Sequence, residues 1–234
     1  MPALPSELSA SADPLSTSML MSSALPPLSA LILAGGAGQR MGGVDKGLIL
    51  FEGKPMIEHV LQRLPAQVDD RVISCNRNLE RYQAYGRIVR DCDSTSMATL
   101  QTHMQHQGPM AGLIVGINAC QHDWIIVSAC DQIYYPKDFA AAAWQALQQQ
   151  QQQQQQRKGT QAPIVVAHDG QHQQNLCLLL HRSILHSLKH AFAQSPAVYR
   201  WLKQQKALTL HWPHTEHFMN INSPELLLTA SLKP

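Results

Sequence analysis

The passage from Leu31 to Lys46 constrains this chain more than any other. A short apolar run, Leu31-Ile-Leu33, opens directly into a loop holding five glycines, Arg40 and Lys46 within twelve residues. An apolar run of that length reads as a buried strand. Glycines let the backbone bend tightly and approach a ligand with no Cβ in the way. Successive N–H groups in such a bend can point at phosphate oxygens. Arg40 and Lys46 add positive charge to the same place, so the segment reads as a cradle for a nucleoside triphosphate.

Two familiar glycine motifs do not fit. The dinucleotide fingerprint needs G-x-G-x-x-G, but Gly36-x-Gly38 is followed by Met41 at the third glycine position. The P-loop needs G-x-x-x-x-G-K-[ST]. Gly38 and Gly43 have its glycine spacing, yet Val44 follows and the lysine falls at position 46.

The rest of the chain alternates strand and helix signals. Helices are expected over 53–64, 79–85, 110–119, 136–147, 184–192 and 198–203, strands over 71–75, 88–89, 124–129, 164–167, 176–180 and 208–212. Pro55, Pro109 and Pro136 suit first helical turns. The 124–129 run is apolar but for Ser128, as in the middle of a parallel sheet. The alternation implies an α/β fold, a three-layer Rossmann-like sandwich with a mostly parallel central sheet. Nine glutamines, 148–156, read as a surface insertion able to prolong the preceding helix. Residues 1–28 hold no Lys or Arg, are broken by prolines and serines, and read as a disordered tail; residues 29–234 form the single domain.

Composition excludes several functions. With 15% charged residues and a net charge of +2, nothing marks a nucleic-acid surface. No segment approaches the roughly 20 apolar residues that span a bilayer. The five cysteines form no C-x-x-C pair, against a zinc site or disulfide framework and in keeping with a reducing cytoplasm. His186 and His190 are four apart, but Ser187 stands where H-E-x-x-H needs glutamate.

In open α/β sheets, ligands bind beyond the carboxyl ends of the strands. Asp91 and Asp131 both follow expected strands. A carboxylate directly after an apolar strand is costly to bury alone. The next helix starts too late for Asp131 to cap it. One carboxylate with triphosphate oxygens and waters is the usual way to hold Mg²⁺, which makes Asp131 the expected metal ligand.

Leu33-Ala-Gly-Gly-Ala-Gly-Gln-Arg-Met-Gly-Gly-Val-Asp-Lys46 resembles the signature of the molybdenum cofactor guanylyltransferases, within the wider nucleotidyltransferase group typified by nucleotide-diphospho-sugar transferases. Gly53-Lys-Pro55, Gly108-Pro-Met-Ala-Gly112, Cys130-Asp131 and Asn220-Ile-Asn-Ser-Pro-Glu225 continue it in order. The resemblance implies transfer of GMP from GTP to the terminal phosphate of Mo-molybdopterin with release of diphosphate. Arg40, Lys46 and Asp131 would be catalytic, and Leu33, Ala34, Gly35, Lys46, Asp91 and Asp131 would contact GTP. Ser74 stands where the family often has asparagine, with Asn76 close by as a second nucleotide-side candidate. Asn220 and Asn222 would face the pterin, whose edge is rich in donors and acceptors. The family usually has proline where Asn175 stands. Ala34-Gly35-Gly36, against the Ala-Ala-Gly of related cytidylyltransferases, favours guanine. Cofactor-synthesis proteins and molybdoenzyme chaperones are the expected protein partners. A cytidylyl or sugar-phosphate transferase and a non-catalytic nucleotide-binding regulator are the alternatives.

Overall fold

The computed structural model describes residues 24–35, 44–91, 108–154, 162–212 and Phe218. Its strands are β1 (Leu28–Leu33), β2 (Leu50–Phe51), β3 (Lys54–Pro55), β4 (Val68–Ser74), β5 (Arg87–Val89), β6 (Trp124–Ala129), β7 (Ile164–His168), β8 (Gln173–His181) and β9 (Leu208–His211). Its helices are α1 (Met56–Leu61), α2 (Leu79–Tyr82), α3 (Pro109–Ala119), α4 (Phe139–Gln154), α5 (Leu185–Gln194) and α6 (Val198–Gln204).

Seven strands form one sheet in the order β5-β4-β1-β6-β8-β7-β9. All neighbours pair in parallel except at β8, which runs antiparallel to both β6 and β7. The exception has a local cause. His168 and Gln173 are joined by a tight turn in which Asp169 Oδ1 accepts the N–H groups of Gln171 (2.8 Å) and His172 (2.6 Å). Two strands joined so closely can only pair antiparallel.

Every residue of β1 is buried. Successive side chains leave a strand on opposite faces, and both faces here are covered. Leu31 and Leu33 belong to one apolar cluster with Met110 of α3, Leu188 of α5 and Trp201 of α6. Leu28 and Ala30 meet α4 through Phe139 and Trp144, while Ile32 meets α1 and α2. This is the expected three-layer sandwich, and covered faces explain the continuous apolar strands.

Several boundaries shift. The helix expected over 53–64 is shorter, because Lys54 and Pro55 pair with Leu50 and Phe51 in a small hairpin. Its turn, Glu52-Gly53, has φ of 48° and 78°, the positive values a two-residue hairpin favours. The helix expected from Pro136 starts at Phe139 and runs on through the glutamines as far as Gln154. The chain joins the fold before residue 29: Leu28 lies in β1 and Leu25 packs against the α4 cluster.

At the amino ends of the strands, away from the candidate site, Asp70 pins β4 to its neighbours. It accepts from Ser29 Oγ (2.6 Å), the Gln121 N–H (2.8 Å) and Arg87 Nη2 (2.7 Å). Burial alone raises a carboxyl pKa, but these hydrogen bonds and the guanidinium outweigh it and hold Asp70 below its ordinary value. A carboxylate with a lowered folded-state pKa adds stability above the ordinary carboxyl range and loses it as pH falls through the lowered value. Asp70→Asn should therefore cost about 1–3 kcal/mol at pH 7. Urea unfolding at falling pH should show the gap to wild type closing in acid; a gap that persists unchanged there counts against the ionic account.

Candidate active site

The strand order reverses between β1 and β6. From β1 the chain proceeds to β4 and β5 on one side, then returns to place β6 on the other. Such a switch point leaves a crevice at the carboxyl ends of the two strands, where open α/β sheets bind ligands. The frame around it is tight. Cys130 N–H donates to the Leu33 carbonyl at 3.1 Å, and Ala34 N–H donates to the Ser74 carbonyl at 2.8 Å.

Two polar groups meet this crevice. The first lies beyond β4 and β5. Asn76 Nδ2 donates to Asp91 Oδ2 at 2.8 Å, and Asp91 N–H returns a bond to Asn76 Oδ1 at 3.1 Å. A Cβ added to Gly35 would stand 3.7 Å from Asn76 Nδ2, so Gly35, Asn76 and Asp91 share one corner. Ser74 differs: its carbonyl serves Ala34, while its buried hydroxyl lies 2.7 Å from where a Cβ on Gly112 would stand. Ser74 therefore contributes to the frame and packs its side chain toward α3.

The second group lies beyond β6. Lys46 Nζ donates to Asp131 Oδ2 at 3.3 Å, across 85 residues of sequence. The Asp131 side chain is 13% exposed and that of Lys46 25%, so both border solvent. Asp131 caps no helix, since α4 begins eight residues later at Phe139. Gln132 fixes the strand end instead: its Oε1 accepts Ala129 N–H (3.1 Å) and Ser128 Oγ (3.0 Å).

Sequence reasoning passed over Asp45 as well as Gln132. Asp45 is buried and accepts from the Tyr82 hydroxyl and from Asn78 Nδ2 (3.0 Å). Its carbonyl accepts Leu48 N–H at 3.1 Å, which closes the short 3₁₀ turn Lys46–Leu48. Asp45 thus fixes the backbone from which Lys46 projects. The available signal was its place directly before Lys46; nothing local marked Gln132. Gly47 completes the turn, because any Cβ there would lie 2.5 Å from the Tyr82 hydroxyl and 3.0 Å from Cys130 Cβ.

Two buried thiols adjoin these carboxylates. Burial, with Asp45 and Asp91 nearby, pushes Cys75 up to about 12. Burial, then the charges of Asp131 and Asp45, pushes Cys130 well above its ordinary value despite Lys46. Thiols so shifted stay protonated at neutral pH and are poor nucleophiles.

A cavity of about 440 Å³ adjoins Asp131, lined also by Gln132, Gln173, Asn175, Pro196 and Tyr199. Arg40, Asn220 and Asn222 lie outside the described residues. The structure thus brings Gly35, Asn76 and Asp91 to one corner and Lys46 and Asp131 to the other, with Leu33 and Ala34 between them.

Comparison with known proteins agrees with this architecture. The family model of the MobA-like NTP transferase domain matches residues 30–208. The molybdenum cofactor guanylyltransferase of Pseudomonas entomophila (strain L48) is 36% identical over 217 residues, covering 89% of this chain and 100% of its own. That of Shewanella sp. (strain MR-4) is 33% identical over 201 residues, covering 85% of this chain and 92% of its own. The crystal structure of molybdopterin-guanine dinucleotide biosynthesis protein A from Archaeoglobus fulgidus superposes with a TM-score of 0.60 at 17% identity, covering 87% of this chain and 97% of its own. A 4-diphosphocytidyl-2C-methyl-D-erythritol synthase from Anaerococcus prevotii has the same fold, with a TM-score of 0.58 at 12% identity over 88% of this chain and 95% of its own. With a glycine-rich sequence directly following β1, two polar corners at the switch point and curated relatives matched over nearly their whole length, the chain belongs to the MobA-like NTP transferase family, among the molybdenum cofactor guanylyltransferases.

Proposed function

We propose that this chain transfers GMP from GTP to the terminal phosphate of Mo-molybdopterin, releasing diphosphate and forming the guanine dinucleotide cofactor. The observation that carries the reading is the pairing of Lys46 with Asp131 at the switch point of the sheet. The names borne by the full-length relatives support the choice of substrates.

The reaction joins two polyanions. An oxygen of the acceptor phosphate forms a bond to the α-phosphorus of GTP. The bond from that phosphorus to the bridging oxygen breaks, and diphosphate leaves with the electron pair. The acceptor oxygen is already anionic, so no strong base is needed. What the protein must supply is position and opposing charge. A unit charge pair ~4 Å apart is worth about 4 kcal/mol at an effective dielectric of about 20. Lys46 supplies a term of that order, reduced by its partial exposure, and Arg40 is assigned the departing diphosphate. Leu33, Ala34, Gly35, Asn76 and Asp91 take the nucleoside end. Guanine offers two adjacent N–H donors, which a carboxylate or carbonyl can accept. Ser74 assists through the frame, and the family resemblance assigns the pterin to Asn220 and Asn222.

Among the described residues there is no cluster of three or more His, Cys, Asp or Glu side chains that could hold a metal unaided. A single carboxylate beside a phosphate site is still the donor set that suits Mg²⁺, which takes substrate phosphates and waters as its other ligands. Asp131 would hold the ion, which when bound supplies charge neutralisation at the phosphates. Among the described residues, no helix is long and apolar enough to cross a membrane, and Cys75, Cys120, Cys130 and Cys177 are free and buried. Free thiols accord with a reducing cytoplasm, where cofactor-synthesis proteins and molybdoenzyme chaperones would be its partners.

The test is a panel of GTP, CTP, ATP and UTP with Mg²⁺, scored for diphosphate with and without molybdopterin. Release with GTP that depends on the acceptor is expected. Release with CTP alone would point to cytidylyl transfer, and tight GTP binding with no release to a regulator.

A further inference from the structure

Tyr199 is a large aromatic side chain held half out of the surface. It is the second residue of α6 and is 51% exposed, one of three large hydrophobic residues more than half exposed among the described residues. Scattered apolar side chains on a surface are ordinary, but this one is placed and braced. It lines the cavity beside Asp131 and also a second cavity of about 510 Å³. Gln173 and Asn175 line both as well, so the two cavities share one wall. The second continues to Lys203 and Lys206. The Arg200 guanidinium carbon lies 5.7 Å from the centre of the Tyr199 ring, and Arg200 Nε donates to its hydroxyl at 2.9 Å. Gln173 Nε2 donates to Asn175 Oδ1 at 2.8 Å, which orients the two amides beside the ring.

A braced, half-exposed aromatic ring flanked by oriented amides suits a planar heterocycle. The ring offers a face for stacking, and the amides offer donors and acceptors for its edge. Holding these groups before the ligand arrives lowers the ordering cost of binding. We propose that Tyr199 is the stacking platform for the acceptor's pterin, with Gln173 and Asn175 reading its edge, in a groove that starts at Asp131. The assignment rests on the functional reading above, since it needs a pterin phosphate as acceptor. It makes Tyr199 a binding and specificity residue with no part in bond breaking.

Equilibrium titration with a phosphorylated, fluorescent 6-alkyl pterin tests it, on the full chain and on Tyr199→Ala and Tyr199→Phe. Tyr199→Phe should bind within about threefold of wild type and Tyr199→Ala roughly tenfold or more weakly, the loss expected when an aromatic partner to a heterocycle is removed. GTP affinity should stay the same in all three. In turnover with molybdopterin, Tyr199→Ala should raise the acceptor KM and leave kcat near wild type. Equal pterin affinity in the three proteins overturns the assignment, as does absence of saturable binding to wild type or a parallel loss of GTP affinity. Failure of the functional reading is a separate result: wild-type protein that releases no diphosphate from GTP and molybdopterin, whatever the pterin titration gives.

Discussion

Asp131→Ala should lower kcat at least about a hundredfold, the scale seen when one preorganised electrostatic group is removed from a site of developing charge. The carboxylate stands at the end of β6, with Lys46 Nζ 3.3 Å away. Its removal deletes the proposed ion ligand and leaves Lys46 without that counter-charge. Asp131→Asn keeps the shape and loses only the charge, so it should be nearly as slow. Diphosphate release at saturating GTP and molybdopterin is the measurement, with a thermal melt as the control for folding. The side chain borders solvent, so the melting temperature should move little. Turnover near wild type in either variant, with Mg²⁺ present, removes Asp131 from the site and the proposed chemistry with it.

Trp144→Ala should cost about 3–5 kcal/mol of folding stability. Trp144 is 2% exposed and meets Trp124 edge to face, with ring centres 4.9 Å apart. It belongs to the cluster that joins α4 to β1, β6, β7 and β8 through Leu28, Ile126, Val165 and Leu179. Truncation removes the largest side chain of α4 and leaves a void that the surrounding sheet cannot close. Native domains keep only about 5–15 kcal/mol in total, so the variant should be close to the threshold of folding at 37 °C. Urea unfolding measures it, and Trp144→Phe should recover part of the loss. A cost under about 1 kcal/mol would mean that α4 repacks freely.

How much of this was legible in the sequence depended on whether a feature was local. The β6 strand stood out because six consecutive uncharged, largely apolar residues fit only a strand covered on both faces. Asp131 was legible for the same reason, as an abrupt carboxylate after that run. That Lys46 and Asp131 share one site followed from the strand-end rule and the family resemblance, but their direct ion pair was not legible, because no pattern within one segment reports on a contact 85 residues away. Asp45 escaped because its partners, Tyr82 and Asn78, sit on a different element. The Glu52-Gly53 hairpin escaped because its strands have two residues each, too few for alternation to show. The start of α4 was misplaced because Pro136 is tolerated in a turn as readily as in a first helical turn.

The position of β6 has a genealogical consequence. Strands β1, β4, β5 and β6 of the large sheet come from residues 28–129, strands β7 to β9 from residues 164–211, and the only ladder crossing between these stretches among the described residues is β6 with β8. The later stretch, which holds the proposed acceptor wall, is thus tied into the sheet by one antiparallel seam, while α3 and α4 pack across that seam on the two faces. A lineage that altered that wall would therefore have to alter the helix faces that meet it at the same time.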